Sequence, residues 1–134
     1  MTDTMTITFP GGARVSAEYE GFTVETDQPV DDGGENSASA PFDLFLISIG
    51  TCAGHYVRKF LTQRKLSTDG LRMELTTTKD PDRKLLSEIA IKLVLPKDFP
   101  VKYEKAIVKA VDSCSVKKTI LDPPAFAVTI QAGA

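Results

Sequence analysis

The first third of the chain alternates apolar with polar residues at the two-residue period of half-buried strands. Thr6–Phe9 (TITF), Arg14–Tyr19 (RVSAEY) and Phe22–Thr26 (FTVET) are rich in β-branched and aromatic side chains, and each predicts a strand. The PGG and EG segments between them supply turn chemistry, because glycine tolerates positive φ. An antiparallel meander follows. Asp27–Ala40 (DQPVDDGGENSASA) is polar and glycine-rich, which predicts a loop without a packed core of its own.

At Pro41 the period changes to that of a helix. Proline suits a first helical turn and Asp43 complements the positive end of the helix dipole. From Pro41 to about Arg64 the apolar positions leave almost no polar face in the first half, the mark of a helix buried on every side. The second half, RKFLTQRK, turns amphipathic and is expected to emerge into solvent. Leu71–Asp80 and Ser87–Pro96 then read as strands around a PDRK turn, the second with clear alternation. Val101–Val111 places Ile107, Val108 and Val111 at helical spacing. DSCSVKKTIL reads as a further helical piece kinked around Ser113–Ser115, and Ala125–Gln131 (AFAVTIQ) as a closing strand. The order βββαββααβ predicts an α+β fold with a mainly antiparallel sheet. With 134 residues, no repeat and no dividing linker, the whole of 1–134 reads as a single domain. One small sheet shields only one side of a helix as apolar as Pro41–Phe60, so an obligate homodimer with this helix near its centre is expected.

Composition narrows the function classes. A net charge of −2, with dispersed lysines and arginines, gives no electrostatic reason to expect nucleic acid or an anionic membrane as partner. No basic, then apolar, leader is visible at MTDTMTITFPGG, and no apolar run approaches the ~20 residues of a membrane span. A cytoplasmic location, where thiols stay reduced unless they do redox work, is the expectation. Two distant cysteines and one histidine match no metal-ligand spacing, so neither a metal nor a cofactor is expected.

The candidate chemistry lies with the cysteines. In ISIGTCAGHYVRKF, Cys52 sits between Gly50 and Gly54. Helical spacing puts it on one face with His55, Tyr56 and Ser48. A histidine one turn away can favour thiolate or take the thiol's proton. A small hydrophobe in the core is the competing reading. Each mid-helix glycine costs about 1 kcal/mol against alanine, so something, another helix or a ligand, is expected close to the backbone there. Cys114, in DSCSVKKTI, sits near the start of a helical turn with Lys117 and Lys118 close behind. Both features stabilise thiolate. On local electrostatics Cys114 is as good a nucleophile as Cys52.

APFDLFLISIGTCAGHYV, followed much later by VDSCSVKKTIL, resembles the paired signature of the OsmC/Ohr family, and the order of elements is similar along nearly the whole chain. The resemblance implies an OsmC/Ohr-like fold, an intertwined homodimer with antiparallel sheets wrapped around central helices. It also implies thiol-dependent reduction of organic hydroperoxides. Cys52 matches the peroxidatic cysteine, which becomes a sulfenic acid. Cys114 matches the resolving cysteine, which forms the Cys52–Cys114 disulfide, and an external dithiol restores the reduced enzyme. Arg14, after the PGG turn, matches the family's hairpin arginine. The glutamate that holds that arginine is replaced: Phe42 stands where the acid belongs and Asp43 follows it. A shift of one residue turns a helical position by about 100°. His55 lies outside the signature and can be an activator, a substrate contact or a bystander. Phe42, Phe45, His55 and Tyr56 are the candidate substrate-pocket residues, suited to apolar hydroperoxides. The alternative function is a dimer of the same fold that binds an apolar or electrophilic small molecule without significant turnover.

Overall fold

The computed structural model describes residues 2–133. The elements run β1 (Thr6–Gly11), β2 (Arg14–Tyr19), β3 (Phe22–Thr26), a 3₁₀ turn (Val30–Asp32), α1 (Pro41–Gln63), β4 (Arg72–Lys79), β5 (Leu86–Val94), a second 3₁₀ turn (Val101–Tyr103), α2 (Glu104–Val111) and α3 (Ser115–Leu121). The fold is α+β, with two small antiparallel sheets. The chain divides into two compact units, one up to Ile47 and one from Ser48 onward.

The first unit holds the meander β1-β2-β3. Tyr19 pairs with Phe22 across the tip of the second hairpin. Its two loop residues, Glu20 and Gly21, both have positive φ, as a type I′ turn requires of a right-twisted hairpin. A bulge between Thr8 and Gly11 accommodates Pro10, which cannot donate to a ladder.

The loop after β3 is better organised than its polar composition predicts. Asp27 is only 1% exposed. Its carboxylate accepts hydrogen bonds from the backbone N–H groups of Gln28 (2.8 Å), Glu35 (3.2 Å) and Ser37 (3.0 Å), and from the Ser37 hydroxyl (2.6 Å). Four donors, led by the Ser37 hydroxyl, hold the Asp27 pKa at about 2 against an ordinary 3.8. A buried carboxylate is tolerable because its oxygens are satisfied in this way. Gly34 closes the same loop: a Cβ there would stand 2.0 Å from the Gln28 carbonyl oxygen.

The second unit packs the later turns of α1 with β4, β5 and α2. Val57, Phe60, Leu61 and Ile107 are its buried centre, ringed by partly buried residues that include Met73, Leu93, Tyr103 and Val111. Phe60 meets Tyr103 edge-on at 5.9 Å between centroids, and the Arg64 guanidinium lies 3.6 Å over the Phe60 ring. Gly50 and Gly54 look toward β4: a Cβ on each would meet Leu75 Cδ1 and Met73 Sδ, both at an ordinary 3.6 Å. A Cβ would therefore fit at either position, and among the described residues of this chain neither a helix nor any other group approaches closely enough to require glycine.

One expected element differs from the structure. Ala125–Gln131 forms no strand. Its alternating Phe126, Val128 and Ile130 are 90%, 93% and 96% exposed, and none of the described strands pairs with it. Along α1, the second half is amphipathic and largely exposed, as its sequence predicts, while the apolar first half is covered on one side only within the single chain. Phe42, Phe45 and Ile47 in the apolar first half are exposed, whereas Ile49, Ala53, Val57, Phe60 and Leu61 are buried. The amphipathic stripe of the second half is what one chain can cover.

Candidate active site

Cys52 and Cys114 are both free thiols in the second unit. α1 carries Cys52 on its fourth turn, partly exposed. The break between α2 and α3, over Asp112–Cys114, carries Cys114, which is 1% exposed. Cys114 is the N-cap of α3, and its sulfur accepts the Lys117 backbone N–H at 3.5 Å. A capping side chain satisfies one of the orphan donors of a first helical turn. The cap fixes where the following residues point, and they point at Cys52. Ser115 Oγ lies 3.7 Å from Cys52 Sγ.

The two thiols have opposite acidities. The Cys52 thiol is held below its ordinary 9.0, first by a hydrogen bond from the Cys114 thiol, then by the Val116 backbone N–H, with the Ser115 hydroxyl and N–H adding to them against a burial penalty. Donors that meet a thiolate favour the charged form. The Cys114 thiol is pushed up, first by burial and then by its hydrogen bond to Cys52, with the Lys117 N–H acting the other way. Sequence left the two cysteines equal. The geometry separates them: the hydrogen bonds around Cys52 lower its pKa, while burial raises that of Cys114.

Other residues singled out in the sequence occupy distinct places. The Lys117 ammonium pairs with the Asp112 carboxylate, so the backbone of Lys117, not its charge, serves Cys114. The His55 ring Nδ1 lies 3.4 Å from an Arg58 guanidinium nitrogen, and the ring meets Tyr56 edge-on at 5.2 Å. In the first unit, Arg14 donates through Nε to the Gly11 carbonyl at 3.2 Å, across the β1–β2 turn. Asp43 occupies the first turn of α1. Phe42 and Phe45 sit 5.6 Å apart in a tilted ring pair.

A mainly aliphatic cavity of about 280 Å³ opens among α1, β5, α2 and α3. Ile49, one turn before Cys52 on the same helix face, lines it with Ile89, Ile91 and Ile120. Lys117, whose N–H reaches Cys114, lies at its edge. Neither His55 nor Tyr56 lines it. Among the described residues no three His, Cys, Asp or Glu side chains gather as metal ligands would. None of the helices described is long and apolar enough to cross a membrane.

The site thus pairs two thiols of opposite acidity, one on α1 and one capping α3. The sequence model of a family described as OsmC-like protein matches residues 34–129. The chain belongs to the OsmC-like family. Among solved structures, a Psychrobacter arcticus 273-4 protein named for osmotic stress induction and a detoxification response superposes with a TM-score of 0.75 at 25% identity, over 89% of this chain and 88% of that one. An OsmC-like protein from Mycoplasma pneumoniae gives 0.71 at 15% identity, over 92% of this chain and 89% of that one. The organic hydroperoxide resistance protein OhrB of Bacillus subtilis gives 0.51 at 18%, over 89% and 90%. The last two likenesses show the OsmC fold alone. No curated protein sequence matches the chain.

Within this OsmC-like frame, Ser115 and Val116 are the functional residues that sequence reasoning missed. The signal was present: a cysteine at the N-cap of a helix directs the next residues' polar groups to one side. The sequence did not say that Cys52 would be on that side.

Proposed function

We propose that this OsmC-like protein is a two-cysteine thiol peroxidase for apolar organic hydroperoxides, and that Cys52 is its peroxidatic residue and Cys114 its resolving one. The observation that carries the reading is the placing of the Cys114 segment against Cys52, with Ser115 Oγ 3.7 Å from Cys52 Sγ and Cys114 buried, where hydrogen bonding between the thiols lowers the Cys52 pKa and raises that of Cys114. The names of the Psychrobacter and Bacillus structures, a detoxification response and organic hydroperoxide resistance, fit it.

The Cys52 thiolate attacks the hydroperoxide oxygen distal to the organic group. A sulfur–oxygen bond forms, the O–O bond breaks, and the alkoxide leaves and takes a proton from solvent to become the alcohol. Cys52 is now a neutral sulfenic acid. Burial is the main influence that raises the Cys114 pKa, and loss of the Cys52 charge removes a smaller one. Cys114 then attacks the sulfenic sulfur, the disulfide forms, and the hydroxyl leaves with the Cys114 proton as water. An external dithiol reduces the disulfide and is itself oxidised. Neither metal nor cofactor enters these steps.

Arg14 is assigned to the peroxide, with Asp43 as the acid that replaces the one displaced by Phe42. Phe42, Phe45, His55 and Tyr56 are assigned to the substrate's organic group, and the aliphatic cavity beside Ile49 suits the same chemistry. The active form is a homodimer of single 134-residue domains in the cytoplasm. The exposed Phe42, Phe45 and Ile47 of α1 and the alternating Phe126, Val128 and Ile130 are the apolar surfaces a second copy would cover.

The test measures consumption of an alkyl hydroperoxide with a dithiol reductant for wild type, Cys52→Ser and Cys114→Ser. Turnover falls to background in Cys52→Ser, and mass spectrometry after peroxide finds the Cys52–Cys114 disulfide in wild type. Equal background rates in all three would leave the binding protein of the same fold, the function that the missing acid at Phe42 favours.

A further inference from the structure

We infer that Ser115 is a catalytic residue of this site, its hydroxyl donating to the Cys52 thiolate. The inference rests on the reading of Cys52 as the peroxidatic residue and gives its thiolate a second side-chain donor beside the Cys114 thiol.

Three observations carry it. Ser115 Oγ stands 3.7 Å from Cys52 Sγ, within reach of a hydrogen bond to sulfur, whose radius exceeds that of oxygen. Either atom can donate while Cys52 is a thiol. A thiolate has no proton, so in the charged state only the hydroxyl can be the donor. The second observation is how the side chain is held. Ser115 is the first residue of α3, its neighbour Cys114 caps that helix, and its own carbonyl accepts the Thr119 hydroxyl at 2.8 Å. Backbone on both sides is therefore committed, which fixes the Cα that carries the hydroxyl beside Cys52. The third is the fate of the other side-chain donor. Cys114 gives up its proton when the disulfide forms, whereas the serine proton is not consumed in any step. Ser115 can therefore meet Cys52 again each time the thiolate is regenerated. The effect of the Ser115 hydroxyl on the acidity of Cys52 is in the same direction.

The experiment compares wild type, Ser115→Ala and Ser115→Thr with both cysteines intact. Ultraviolet thiolate absorbance against pH gives the Cys52 thiolate fraction, and alkylation followed by peptide mapping assigns the reacting sulfur. Ser115→Ala is expected to lower the thiolate fraction at neutral pH by about three- to tenfold, the range of one hydrogen bond, and Ser115→Thr to restore most of it. An unchanged fraction in Ser115→Ala overturns the inference. An equal loss in Ser115→Ala and Ser115→Thr also overturns it, because the effect would then belong to packing and not to the hydroxyl. Hydroperoxide turnover is measured on the same samples. If wild type turns over no hydroperoxide while Ser115→Ala loses thiolate, the peroxidase reading fails and the donor assignment stands. If wild type turns over and Ser115→Ala keeps its thiolate, the reverse holds.

Discussion

Replacing Cys114 by alanine tests whether the thiol pair works through acidity or through access. The Cys114 thiol is the largest influence lowering the Cys52 pKa. Removing a hydrogen bond from a charged acceptor costs about 1.5 kcal/mol at the low end of the usual range, the end suited to a weak S–H donor. At 1.4 kcal/mol per factor of ten, the Cys52 thiolate at neutral pH falls about tenfold. A thiolate of higher pKa is also a better nucleophile, with a Brønsted slope of about 0.4–0.5, which returns a factor of about three. Reaction of Cys52 with iodoacetamide should therefore slow about threefold at neutral pH in Cys114→Ala. Above the variant's midpoint both proteins are fully thiolate, and there the variant should react about threefold faster. The two rate–pH curves cross. Cys114→Ser keeps an O–H donor and should stay close to wild type on both sides. A uniform change at every pH would mean that the substitution altered access to Cys52 and would refute the acidity argument.

Four further outcomes follow from the packing. Gly54→Ala, whose Cβ would make ordinary contact with Met73, should raise stability by about 0.5–1 kcal/mol in chemical denaturation, as helix propensity dictates. Gly34→Ala should instead lower it by about 1–3 kcal/mol, because its Cβ would collide with the Gln28 carbonyl and the Asp27 loop must shift. Ile107→Ala removes a fully buried side chain from the α1–α2 contact and should cost about 2–5 kcal/mol, with a larger loss where the cavity cannot collapse. For Asp27 the sign follows from a folded pKa of about 2 below an ordinary 3.8: its contribution is complete above pH 3.8 and is lost as pH falls through 2. Asp27→Asn should therefore flatten that acid limb, and an unchanged limb would remove Asp27 from the cause of acid unfolding.

Much of the fold could be read from periodicity because periodicity is a local property. Alternation in RVSAEY and SEIAIKLV, and the change of period at Pro41, placed β2, β5 and α1 within a residue or two of their observed ends. Properties that depend on what lies opposite could not be read this way. AFAVTIQ alternates as a strand should, yet a strand also needs a neighbour, and its sequence carries no information about that. The polar run DQPVDDGGENSASA hid a buried carboxylate, because composition averages over the one residue, Asp27, that organises the rest. α1 is apolar almost all round in its first half, but hydrophobicity states what would be favourable to bury, not what one chain manages to bury.

The site shows the same division. Each cysteine was visible as a candidate, with a local activator for each: His55 for Cys52, and the Lys117–Lys118 pair for Cys114. The structure gives both activators other partners, Arg58 and Tyr56 for His55 and Asp112 for the Lys117 ammonium. The groups that do reach Cys52 are the Cys114 thiol, backbone N–H groups and a serine hydroxyl near the start of α3, and Cys114 itself accepts the Lys117 N–H. This bears on the acid displaced by Phe42. In the resemblance, that acid orients an arginine for the peroxide. The acidity of Cys52, however, arises from donors of the α3 segment and needs no carboxylate. In the proposed peroxidase, thiolate formation and peroxide orientation are therefore separable. Asp43→Ala should leave the Cys52 thiolate fraction unchanged while lowering hydroperoxide turnover, whereas Ser115→Ala should lower both. If Asp43→Ala lowered the thiolate fraction as well, orientation and acidity would be a single function of one network, and the separation would be wrong.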